Sequence, residues 1–77
     1  MKLVCKRPFG NPMSFTAARL LCERNADKLT MKPLGLMYQV YHRWEYLVET
    51  WENVATVAEQ HVSEHEATNW EFELTFN

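Results

Sequence analysis

The sequence predicts an α+β fold of order β-α-α-β. A short first helix packs antiparallel on one long amphipathic second helix, and the two termini form a two-stranded sheet. Three observations lead there. The chain has 77 residues, of which 47% are apolar and 13% aromatic, enough for the core of one small domain and too apolar for disorder. Glycine (2) and proline (3) are scarce, so few, long elements are expected. From Leu36 to His65 apolar residues recur at helical spacing without a break.

Taken in order, Leu3-Val4-Cys5 reads as a strand over 2–7 with Leu3 and Cys5 on one side. Pro8-Phe9-Gly10-Asn11-Pro12 reads as a break. Ser14 can accept from the free N–H groups of a first turn, and Phe15, Ala18, Leu21, Cys22, Asn25 and Leu29 make one stripe, which predicts a helix over 14–28. A second break covers Thr30 to Gly35, where Pro33 suits a first helical turn.

The second helix is expected over 34–65, roughly 48 Å at 1.5 Å per residue. Its core stripe is Met37, Val40, Trp44, Leu47, Trp51, Val54, Ala58, His61 and His65. After a turn at Ala67-Thr68-Asn69, strict alternation sets Trp70, Phe72, Leu74 and Phe76 on one face of a strand over 70–76. The first helix covers only half of the second, so the two strands pair over the rest, with Lys2 and Lys6 sharing a face with Glu71 and Glu73. A straight run through 8–13 makes that pair parallel, and a reversal makes it antiparallel. Trp44, Trp51 and Trp70 are all expected in the core, where Trp51→Ala costs about 3–5 kcal/mol.

Composition narrows the function classes. The N-terminus is charged again within its first residues, and no apolar run reaches the length of a membrane span, so neither a secretory signal nor a membrane partner is expected. Cys5 and Cys22 lack paired spacing, which suits reduced, buried thiols and a cytoplasmic location. Charge is segregated: all eight Lys and Arg fall in residues 1–43 beside two acids, and residues 44–77 carry eight Glu with no Lys or Arg. The halves either neutralise each other internally or expose opposite faces, one of which meets a partner.

On the predicted second helix Tyr38, His42, Glu45, Glu49 and Glu52 share the outer face, with Tyr46 beside them. Rim aromatics and spaced carboxylates fit a protein partner with a basic surface, including a groove that otherwise holds DNA or RNA. The expected function is therefore a non-catalytic accessory or inhibitor protein acting by charge mimicry. Small proteins of this style are common among phage and mobile-element inhibitors of host nucleases or defence complexes, an analogy of size alone. The open sheet edges also allow a homodimer.

Two alternatives stand beside this. Lys2, Lys6, Arg7, Arg19, Arg24, Lys28 and Lys32 could form a nucleic-acid-binding surface, a reading the acidic half disfavours. His61-Val62-Ser63-Glu64-His65 resembles the H-x-x-E-H pattern of inverzincin metalloproteases over five residues, and that family has a much larger catalytic domain. Without the protease, His61 and His65 at i and i+4 could still hold a metal with Cys5 or a Glu as third ligand. No phosphate loop or catalytic triad is evident, so no enzyme activity and no cofactor are expected.

Overall fold

In a computed structural model, which describes residues 1–25, 28–67 and 69–76, the chain runs β1 (Lys2–Met13), α1 (Phe15–Arg24), β2 (Leu29–Leu34), β3 (Met37–Leu47), α2 (Trp51–His65) and β4 (Glu71–Thr75). The expected two-stranded sheet and long second helix are overturned. The strands form one antiparallel sheet in the order β2-β3-β1-β4, and only the second half of the predicted helix is helical. Positions 26 and 27 of the predicted first helix, and Thr68 of the predicted turn, lie outside the described residues.

The reason lies in a second period that the first one hides. Tyr38, Val40, His42, Trp44, Tyr46 and Val48 alternate with the other side chains of β3 and its exit. They are mostly aromatic or β-branched, the side chains a pleated sheet accommodates best. Val40 and Trp44 belong to both periods, so helical spacing continues through a strand. Gly35 supplies the turn before it with a φ of 64°, in a two-residue β2–β3 loop of the glycine-first kind. Thr50 stops the strand pattern and caps α2, its Oγ1 accepting from the Asn53 N–H at 3.2 Å.

The prolines also find places in strands. Pro33 lies on β2, an edge strand where no neighbour needs its missing N–H. Among the described residues β4 pairs with β1 from Lys2 to Lys6, so Pro8 and Pro12 lie beyond that register.

The chain divides into two compact units. The first comprises Met1–Lys6 and Trp44–Asn77. In it β1 and β4 pair antiparallel, Leu3 opposite Leu74 and Cys5 opposite Phe72. Leu3, Cys5 and Val48 are buried beneath Trp44, Tyr46, Val54, Val57, Ala58, Trp70 and Leu74. Lys6 donates to Glu73 at 3.0 Å on the outer face. Trp44 and Trp70 join this core, but Trp51, expected there, is 65% exposed. It lies in the first turn of α2, on a flank of the helix rather than on the face that bears Val54 and Val57.

The second unit is Arg7–Arg43. The β2–β3 hairpin packs with α1 around Ala18, Leu29 and Val40. Ser14 caps α1, its Oγ accepting from the Ala17 N–H at 3.3 Å. The helix ends at Arg24, short of the expected 28, with Asn25 as its cap. The buried Gln39 amide donates to the carbonyls of Gly10 (3.1 Å), which takes a φ of 68°, and Val40 (3.0 Å). No helix of the described residues is long and apolar enough to cross a membrane.

Candidate functional site

The units keep the segregation of charge seen in the halves of the sequence, though less sharply, because Lys2 and Lys6 fall in the acidic unit. The first holds Lys2 and Lys6 against eight Glu, a formal −6; the second holds six Lys and Arg against Glu23 and Asp27, a formal +4. Within the first unit, Lys2 pairs with Glu45 at 3.6 Å and Lys6 with Glu73 at 3.0 Å.

The six residues expected on one helical face do not share one. Tyr38 and His42 belong to the second unit. There Tyr38 packs on Phe15 (ring centroids 5.2 Å) and His42 meets Phe9 edge-on (4.8 Å). Burial, and then the nearby Arg7 charge, hold the His42 pKa below its usual value. Glu45 and Tyr46 are neighbours on β3 and so point to opposite faces of the sheet. Tyr46 packs against the core rather than standing at a rim. Glu49 lies in the bend before α2 and Glu52 in its first turn, both exposed.

His61 and His65 do come together, but inside an aromatic cluster. His61 is 1% exposed. Its Nδ1 lies 2.6 Å from the Tyr46 hydroxyl, and its ring is 4.2 Å from Trp70, 5.1 Å from Trp44 and 4.3 Å from His65. A hydroxyl donating to Nδ1 leaves the proton on Nε2, which has no hydrogen-bond partner among the described residues and lies among rings whose faces can receive it. Burial, and then His65, lower the His61 pKa, partly offset by Glu64. Burial, followed by Cys5 and Glu64, raises that of Tyr46. Both groups are thus held neutral, which makes the pair a structural hydrogen bond rather than an activated acid and base. Among the described residues no three His, Cys, Asp or Glu side chains gather to hold a metal.

Two cavities flank α2. On the side facing β3, about 290 Å³ is lined by Tyr46, Val57, Gln60, His61 and Glu64. On the side facing β4, an open groove of about 420 Å³ is lined by Ala58, Glu59, Val62, Ser63 and Phe72. Trp51, Ala55, Ala58 and Val62 fall at i, i+4, i+7 and i+11, so they form one stripe along that flank. Trp51 extends the groove towards Phe76, with ring centroids 5.6 Å apart. Glu52 and Glu59, seven residues apart, run alongside the stripe on its solvent side.

This exposed apolar groove with an acidic rim escaped the sequence reading. Its apolar members satisfy the same helical spacing as a core stripe, and only the position of β4 leaves them uncovered. In the second unit a cavity of about 360 Å³ is lined by Arg19, Cys22, Glu23, Leu29, Thr30 and Met31, with Arg19 paired to Glu23 at 2.9 Å. Comparison with known proteins returns no matching family model, no matching curated protein and no matching solved structure.

Proposed function

We propose that the chain is a non-catalytic protein-binding module whose acidic unit engages a partner with a basic surface. The observation that carries this reading is the groove beside α2. Large apolar side chains stay exposed in a line (Trp51, Val62, Phe72, Phe76), and carboxylates border it within a unit of formal charge −6. Exposed apolar side chains that line up mark contact surfaces more often than scattered ones do, and aromatic anchors beside charged rims are the pattern of protein interfaces. Charge complementarity would set the rate of encounter and the apolar groove the lifetime of the complex. Inhibition of a nucleic-acid-binding protein by charge mimicry is one form this function takes.

The test is affinity capture from the source cell with wild type and with the Glu52→Lys/Glu59→Lys variant. The expected outcome is a protein with a basic surface that wild type retains and the variant loses, insensitive to nuclease treatment. Equal capture by both proteins, or capture that disappears with nuclease, would overturn the reading; the latter points to the basic unit and a nucleic acid.

A further inference from the structure

We infer that the groove takes a helix of the partner, one whose apolar face repeats every seven residues and carries Lys or Arg beside it. This rests on the protein-binding reading above and specifies its occupant. The flank of α2 has the spacing of a coiled-coil seam: Trp51, Ala55, Ala58 and Val62 follow steps of four, three and four residues. Ala58 borders the core, and the other three are exposed. Glu52 and Glu59 stand seven residues apart on the solvent side of that seam, and Glu66, the C-cap of α2, continues the spacing. All three are exposed. In a heptad Glu52 and Glu59 hold the flanking position, from which a charged side chain reaches across to a partner helix.

The shape and charge of the groove select this occupant. One wall is the seam with its carboxylates; the other is Phe72, with Phe76 beyond it against Trp51, both phenylalanines exposed. A helix satisfies its own backbone groups, so it asks of this surface only apolar contact and complementary charge. From Trp51 to Val62 the rise is about 17 Å, or three helical turns, which accommodates about two heptads of a partner helix. Ala55 and Ala58 lie between the larger Trp51 and Val62, so the centre of the seam lets a second axis come close. The rim and the formal −6 of the unit favour cations on the partner. A second copy of the chain fits poorly. Laid antiparallel on its own seam, it sets Glu52 and Glu59 against their counterparts, and like charges so placed repel. Laid parallel, it sets them towards the face of Val54 and His61, which the core already occupies.

The probes are capped, dye-labelled three-heptad peptides titrated with the full chain and followed by fluorescence anisotropy. The first carries leucine at the seam positions, lysine at both flanking positions, and alanine or glutamine elsewhere. A second has the same composition in scrambled order. A third is the first with a central proline. A fourth replaces each lysine with glutamate. The first is expected to bind at least tenfold more tightly than any of the others, and Val62→Lys, checked for folding by circular dichroism, is expected to weaken it by a similar factor. The Glu52→Lys/Glu59→Lys variant is expected to shift the ratio of lysine-peptide to glutamate-peptide affinity at least tenfold towards glutamate. A general loss of folding does not produce such a shift in preference.

Equal binding of the first and scrambled peptides would overturn helix docking. So would an affinity unchanged by the central proline, a preference unchanged in the charge-reversed variant, or no binding of any peptide. A dimer of the chain in sedimentation that Val62→Lys dissociates would give the groove to a second copy and overturn it as well. In each of these cases, a basic protein captured by wild type and lost by the Glu52→Lys/Glu59→Lys variant would leave the protein-binding reading in place. Equal capture by both would instead remove the reading on which helix docking rests.

Discussion

His61 shows how one side chain changes meaning with its surroundings. At i and i+4 on a helix, His61 and His65 read as metal ligands; in the fold, His61 is buried against Tyr46 and two tryptophans. A base buried neutral has a folded pKa below its unfolded value of 6.5, so the unfolded chain binds the proton more readily. The stabilisation is complete above about pH 6.5 and is lost as pH falls through the lowered folded value. Chemical denaturation should therefore show a midpoint that drops between pH 7 and 5, and His61→Phe should flatten that dependence even if it lowers stability throughout. A wild-type midpoint that holds steady across the same range would show that His61 binds its proton equally well in the folded and unfolded chain.

The thiols make a second prediction at this scale. Burial pushes Cys5 up to about 11 and raises Cys22 by the same cause, but Cys22 is only partly buried and Cys5 wholly so. A thiol reagent at pH 8 should modify Cys22 in the native protein and reach Cys5 only on unfolding. Two equally fast thiols would contradict the burial of β1.

Among the elements, Ser14 and the apolar stripe signalled α1, and the strict alternation from Trp70 signalled β4. The 34–65 segment misled because two periods coincide on Val40 and Trp44. What separates them lies in residues that pattern counting passes over: Gly35, which allows the hairpin turn, and Thr50, which caps a new helix. The paired strands β2 and β3 were hidden further by Pro33, which an edge strand tolerates.

The candidate site fared similarly. Glu49 and Glu52 stay exposed near the start of α2, whereas Tyr46, chosen as a rim anchor, lies against the core. Trp51 measures the difference. Because it is exposed and its ring lies 5.6 Å from that of Phe76, Trp51→Ala should cost about 1 kcal/mol rather than the value of a core tryptophan, while weakening capture of the partner. A thermal melt lowered by tens of degrees would return Trp51 to the core.

Over the whole molecule, the order of charge along the sequence becomes a division between two compact units, and that segregation of charge was legible in the sequence. The groove was not, since it depends on which flank of α2 the last strand leaves open. The proposed function places binding on the acidic unit and not on the basic one. The most direct test sets two charge reversals side by side against a partner obtained by capture. One is Glu49→Lys/Glu52→Lys/Glu59→Lys in the first unit, and the other is Arg24→Glu/Lys28→Glu in the second, each titrated from low to physiological salt after circular dichroism shows it folded. Electrostatic contacts weaken as salt rises. With binding on the acidic unit, the first reversal loses binding at every salt concentration and the second binds like wild type with an unchanged salt dependence. Binding that survives the first reversal and fails with the second would place the function on the basic unit and contradict the account.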